Sequence, residues 1–235
     1  MSFFKIALKK LPQIFTEKEY SDSRLYYDKY WENKGSQDIL KLNPFQEYRA
    51  NYIIQNIEDN SSMLDIGTGE ANILKKIITS KKINATGSDI SDHAKDRLNS
   101  IGIEHLNLDL SDIDSIRNIN NFDYIIILEV LEHIPNSEEV LVELLKKTNK
   151  ALFYSFPNTG FFIDRLRLLF GRFPQQWRHH PSEHLRFWTY KDVKWMHKNL
   201  KISEYSTIHA YAGIPFLNKI LKNLFAEAII VKINK

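Results

Sequence analysis

The 235-residue chain has no cysteine. Disulfides, thiolate metal ligands and cysteine nucleophiles are therefore excluded. It has little net charge, a formal +3, which is too small an excess to argue for nucleic acid as a partner. It has no apolar run near the ~18–20 residues of a membrane span. Residues 1–15 lack the continuous apolar core and small-residue cleavage site of a signal peptide. They mix Lys5, Lys9 and Lys10 with Phe3, Phe4, Ile6, Leu8 and Leu11. This pattern predicts a short amphipathic helix packed on the domain, with peripheral contact at the inner membrane face as the alternative. No internal repeat or low-complexity segment is present. Hydrophobic residues make up 43% and charged residues 26%, the balance of a globular protein, here expected in the cytoplasm. The expectation is a single domain over 1–235, with residues 1–44 as an N-terminal cap.

The informative segment is Ser62-Met63-Leu64-Asp65-Ile66 running into Gly67-Thr68-Gly69, followed by a periodic stretch from Ala71 to Ile78. It reads as strand, glycine turn and helix. The two glycines remove side chains where a backbone turns sharply and meets a ligand. Asp65 puts a carboxylate at the strand's carboxyl end, where open α/β sheets bind ligands. The third glycine of the dinucleotide fingerprint is missing, its place taken by Asn72. Residues 83–88 read as a second strand ending at Asp89, which either accepts two ribose hydroxyls or, with Ser91, caps the next helix. A third strand, 104–108, ends at Asp109, which by itself reads as a solvated turn residue.

Elsewhere the pattern predicts helices at 45–58, 70–80, 92–99, 137–148 and 189–199, and a short turn at 111–118. It predicts strands at 122–128, 151–156, 201–209 and 226–233. The almost wholly apolar 122–128 suits a central parallel strand buried on both faces. This alternation implies an α/β fold: a Rossmann-like, seven-stranded, mostly parallel sheet with helices on both faces. Residues 158–188 and 211–224 interrupt it as substrate-side inserts. The first carries Arg165, Arg167, Arg172, Arg178 and Arg186 against Asp164 and Glu183. Those arginines either grip an anionic acceptor or line an amphipathic helix whose Phe161, Phe162, Leu166, Leu169 and Phe170 are buried. Trp177, Phe187, Trp188 and Trp195 are expected to pack in the core or lid. Tyr20, Tyr26, Tyr27, Tyr30 and Trp31 lie among charges ahead of the first long helix.

Glu129-Val130-Leu131-Glu132-His133-Ile134-Pro135 follows the fourth strand. If residues 129–133 form one helical turn, Glu129, Glu132 and His133 share a face. Two carboxylates and an imidazole there suit a hard or borderline divalent cation. A further imidazole is available from His179, His180 or His184. The competing reading makes His133 a metal-free base, with Glu132 beside it.

The glycine turn resembles motif I of class I S-adenosylmethionine (SAM) methyltransferases. Asn43-Pro44, Arg49-x-x-Tyr52-Ile53, Leu64 to Gly69, Glu129 to Pro135 and Tyr154 to Asn158 together resemble the ubiquinone-biosynthesis O-methyltransferase family, over roughly residues 43–200. The resemblance implies SAM as cofactor. Arg49 would contact the SAM carboxylate, with Asp65, Gly67, Thr68 and Gly69 at the turn. Asp89 and Ile90 would lie at the ribose, and Asp109 and Leu110 at the adenine. Leu128 and Glu129 would close the site. It also implies a divalent metal such as Mg on Glu129, Glu132 and His133, which would act as catalytic groups with the ion or, for His133 and Glu132, without it. His184-Leu185-Arg186-Phe187-Trp188-Thr189 resembles the small-RNA 2′-O-methyltransferases, where a histidine in the place of His184 completes the metal site. The chain departs from both groups in its inserts and in Lys147-Thr148-Asn149-Lys150, where many relatives carry Pro-Gly-Gly. The expected reaction is O-methylation of a small-molecule or glycan-precursor (nucleotide-sugar) hydroxyl. An RNA 2′-O-methyltransferase and a non-catalytic SAM-binding protein are the alternatives.

Overall fold

The computed structural model describes residues 3–17, 42–176 and 184–235. Tyr20, Tyr26, Tyr27, Tyr30, Trp31, Trp177, Arg178, His179, His180 and Glu183 lie outside these residues. Helix α1 spans Phe3–Lys10 and leads into a 3₁₀ turn, Leu11–Ile14. Helix α2, Pro44–Ile54, starts where proline's fixed φ suits a first helical position; Asn43 caps it, accepting from Phe45 N and Gln46 N. Then follow β1 (Ser61–Ile66), α3 (Asn72–Ser80), β2 (Ile83–Ser88), α4 (Asp92–Ser100), β3 (Glu104–His105), α5 (Ile113–Asn118) and β4 (Phe122–Leu128). After β4 come α6 (Ser137–Lys146), β5 (Thr148–Pro157), α7 (Phe162–Leu169), α8 (Tyr190–Asn199), β6 (Ser206–Tyr211), α9 (Leu217–Ile220), α10 (Lys222–Phe225) and β7 (Ala228–Asn234).

The seven strands form one sheet in the order β3-β2-β1-β4-β5-β7-β6. β1 to β5 pair in parallel, while β7 lies antiparallel between β5 and β6. Alternation along the strands splits the core. Ile125 and Ile127 join Val140, Leu144 and Val193 on one face, and Ile126 joins Ile53, Leu74 and Leu98 on the other. All three isoleucines are wholly buried, each contributing about 1.5–3 kcal/mol by burial. This two-faced burial is why β4 carries no polar alternation.

Four elements differ from expectation, the first being the helix expected at 45–58, which ends at Ile54. The strand expected at 104–108 stops at His105, because Leu108 and Leu110 turn inward to the core. The strand expected at 201–209 starts only at Ser206, since Lys201 is left-handed (φ 58°) and Ser203–Tyr205 forms a 3₁₀ turn. The turn expected at 111–118 contains helix α5, capped by Asp112. Among the described residues no helix is long and apolar enough to cross a membrane.

Candidate active site

The carboxyl ends of β1, β2 and β4 bring the predicted residues to one edge. Gly67 N donates to Ser88 O (2.7 Å), and Thr68 Oγ1 donates to Asp65 O (3.0 Å), which folds the turn back across β2. Gly67 has φ +73°, and a Cβ there would stand 2.3 Å from Val130 Cγ2. Glycine is thus required twice, by conformation and by the neighbouring loop. Asp89 ties the two loops together: Oδ2 accepts from Gly69 N (2.9 Å), and Oδ1 accepts from Ser91 N and Ser91 Oγ (3.0 Å each). Ser91, not Asp89, caps α4 by accepting from Ala94 N. Asp89 also lines a cleft with Ile90, Lys95, His105 and Asn107. Ile90 is 70% exposed there, an apolar surface left open at the mouth. Asp65 is buried, and its carboxyl is pushed up to about 8 by burial and then by the charge of Asp89. Asp109 is exposed and accepts from Ser111 N (2.8 Å) and Ser111 Oγ (2.7 Å), which hold its carboxyl below the usual range. It is a turn residue in this structure, and Leu110 beside it is buried.

The second half of the site lies past Leu128. The expected helical turn over 129–133 does not form. Glu129 is left-handed (φ 57°), and only Leu131–His133 makes a 3₁₀ turn. A non-glycine in that region stores about 1–3 kcal/mol. The Glu129 carboxylate is engaged by Arg49 and Ser155 instead. Its Oε1 meets Arg49 Nη1 (2.7 Å) and accepts from Ser155 Oγ (2.8 Å). Arg49 is buried; burial disfavours its charge, but Glu129, Tyr211 and Glu132 raise its pKa above the ordinary value. The groups that do converge are Glu132, His133 and His184, with one potential ligand atom each, all within 4.8 Å of one another. Glu129 stands outside that group. Glu132 is 1% exposed, and neither of its carboxylate oxygens has a hydrogen-bond donor among the described residues. Burial, then the charge of Glu129, pushes its carboxyl well above the carboxylate range. The His133 and His184 rings stand edge to face, 4.7 Å apart. His184 is held there because Leu185 N and Arg186 N both donate to Glu132 O (2.8 and 3.0 Å).

Among the described residues, the four arginines of the first insert, Arg165, Arg167, Arg172 and Arg186, have protein partners. Arg167 is buried and donates from Nη1 to Gln13 O, Ile14 O and Thr16 O, and from Nε to Phe173 O. Arg165 donates to Gly160 O, Arg172 to Phe15 O and Glu17, and Arg186 to Pro135 O. They bind the insert to its surroundings, where an anion-gripping role was one of two expectations. Leu169 (76% exposed) and Phe170 (55%) point outward, where the amphipathic-helix alternative had them buried. Trp188 packs on Phe156 and Phe187 on Phe173, but Trp195 is exposed. Sequence reasoning missed Tyr48 and Tyr211, whose rings stack 4.3 Å apart beside Arg49. The only sign was an aromatic next to Arg49; Tyr211 lay beyond the strand end expected at 209.

The family model for methionine biosynthesis protein MetW matches residues 48–233. The chain belongs to the MetW family. MetW-family membership covers every element from β1 to the antiparallel strand β7. The ubiquinone biosynthesis O-methyltransferase of Rickettsia bellii is 29% identical over 131 residues, 50% of this chain and 52% of that protein. The chain thus spans about half the length of the curated relatives it matches. Among solved structures, a SAM-dependent methyltransferase from Archaeoglobus fulgidus superposes with a TM-score of 0.64 at 14% identity, covering 89% of this chain and 100% of that one. The methyltransferase domain of a bacterial CtHen1-CN gives 0.55 at 19% identity, covering 81% and 98%. The fold is that of class I SAM-dependent methyltransferases.

Proposed function

We propose that this MetW-family protein is a SAM-dependent O-methyltransferase acting on a hydroxyl of a small molecule. The reading rests on Glu132, His133 and His184 meeting just past β4, at the sheet edge that also carries the Asp65–Gly69 turn. A sulfonium methyl needs little activation, so catalysis reduces to aligning it and readying the acceptor oxygen. Asp89 would accept the ribose hydroxyls while anchoring the glycine turn, and the exposed face of Ile90 would pack on the adenine. Arg49 and Glu129 set opposite charges side by side, complementary to the zwitterionic amino-acid end of SAM.

The donor set fits a divalent cation. A buried carboxylate without a hydrogen-bond donor among the described residues is costly as an anion, and two imidazoles stand beside it. Two imidazoles and one carboxylate suit a borderline ion better than Mg²⁺, which prefers oxygen ligands. Bound there, the ion would supply Lewis-acid polarisation of the acceptor hydroxyl. Glu132 and the two histidines would fix the acceptor oxygen at the end of β4, and the backbone bonds from residues 185 and 186 would hold His184 in register.

Turnover of labelled SAM on catechols, phenols and nucleotide sugars tests this. Chelation should abolish methyl transfer, Mn²⁺ or Zn²⁺ should restore it, and His133→Ala should lower the rate roughly 10²–10⁴-fold. Near-normal turnover by the Glu132→Ala/His133→Ala double variant would overturn the reading. A second acceptor, an RNA 3′-terminal 2′-hydroxyl, is favoured by the approach of His184 to the cluster and belongs in the same screen.

A further inference from the structure

We propose that the face built from residues 7–17, 161–173 and 214–225 docks on an anionic lipid bilayer. The three segments are distant in sequence but share a small core of Ile14, Phe161, Ile163 and Ile214, separate from the two cores on the sheet. Arg167 ties the second segment to the first by donating to the carbonyls of Gln13, Ile14 and Thr16. Phe15 and Phe170 meet with ring centroids 5.4 Å apart.

This small core is too thin to cover its own apolar side chains. Of the fifteen large hydrophobic residues exposed among the described residues, ten lie on these segments. Phe15 is 59% exposed, Leu169 76% and Phe216 70%. Phe216 has φ +67°, a rare conformation for a bulky residue, and still points its ring at solvent. Scattered exposed hydrophobics need no explanation, but a concentration on one face marks an interaction surface.

Charge identifies the occupant. Residues 7–17, 161–173 and 214–225 carry seven Lys or Arg against Glu17 and Asp164, a formal +5. The whole chain is +3, so everything else together is −2. Lys9, Arg165 and Lys219 are exposed beside the apolar residues. A second copy on the same face would bring like charges together, since a two-fold interface meets itself. Phenylalanine and leucine interleaved with cations suit the headgroup boundary of a negatively charged leaflet. The face is also well oriented. Residues 161–173 leave β5 beyond Pro157, and 214–225 leave β6 beyond Tyr211, both at the edge that carries Asp65 and Glu129.

The full chain should co-sediment with vesicles of phosphatidylcholine and phosphatidylglycerol, release at high salt, and stay in solution with phosphatidylcholine alone. Leu169→Glu/Phe216→Glu should abolish sedimentation while keeping the SAM affinity of the unaltered protein. Lys9→Ala and Lys219→Ala should each weaken partitioning about fivefold, the equivalent of ~1 kcal/mol per surface cation. Neither readout involves methyl transfer, so failure here is distinct from failure of the proposed reaction. Equal sedimentation of the double-glutamate variant, or no binding to anionic vesicles, would overturn the proposal. So would a concentration-dependent dimer that the same variant dissolves.

Discussion

At the scale of single residues, Asp65, buried at the end of β1, gives the protein a testable pH dependence. Its carboxyl rises from the usual 3.8 to about 8, so between those values the folded chain holds a proton that the unfolded chain gives up. Its contribution to stability is therefore full below about pH 4 and is lost as pH rises through 8. SAM carries a sulfonium and an ammonium, and a deprotonated Asp65 favours both. Affinity for SAM should rise with pH up to about 8 and then level off, with proton release on binding seen by calorimetry in buffers of different ionisation enthalpy. Asp65→Asn should flatten that profile. A flat profile in the unaltered protein would remove Asp65 from the cofactor site.

At the scale of elements, the glycine turn and the loop after β4 are fitted to each other. Gly67→Ala should destabilise the protein by ~1–2 kcal/mol from left-handed strain alone. It should do more through SAM affinity, because Val130 must yield and it sits next to Glu129. Urea unfolding alongside SAM titration separates the two effects, and an affinity unchanged in the folded variant would show that the loops are not coupled. The same two loops show what was legible beforehand. The turn was readable because apolar run, Gly67-Thr68-Gly69 and helical period are all local signals. β4 was readable because burial on both faces leaves an unbroken apolar run. The loop was misread because i, i+4 spacing assumes a helix, and a left-handed Glu129 is decided by a distant partner, Arg49. Likewise, the outward turn of Leu169 and Phe170 depends on what Arg167 holds, and that lies 154 residues away in the chain.

At the scale of the whole molecule, a buried polar chain joins β5, α8 and β6. Tyr154 Oη donates to His197 Nε2 (2.5 Å), and His197 Nδ1 donates to Ser206 Oγ (2.8 Å), which itself donates to Ser203 O. These roles require the neutral imidazole, and burial lowers the His197 pKa from 6.5 to about 4. Stability from this group is full above pH 6.5 and is lost as pH falls through about 4. Denaturant midpoints should therefore drop across that window, and His197→Gln should shrink the drop; an unchanged slope would assign acid sensitivity to other groups. The placement of β7 carries a different consequence. β6 has no partner in the sheet until residues 228–234 have been synthesised. On the ribosome the parallel half, β1 to β5, can assemble while β6 and its apolar connection wait unpaired. Folding of this edge is thus delayed relative to translation, and the waiting segment is where a chaperone or an early aggregate would first take hold.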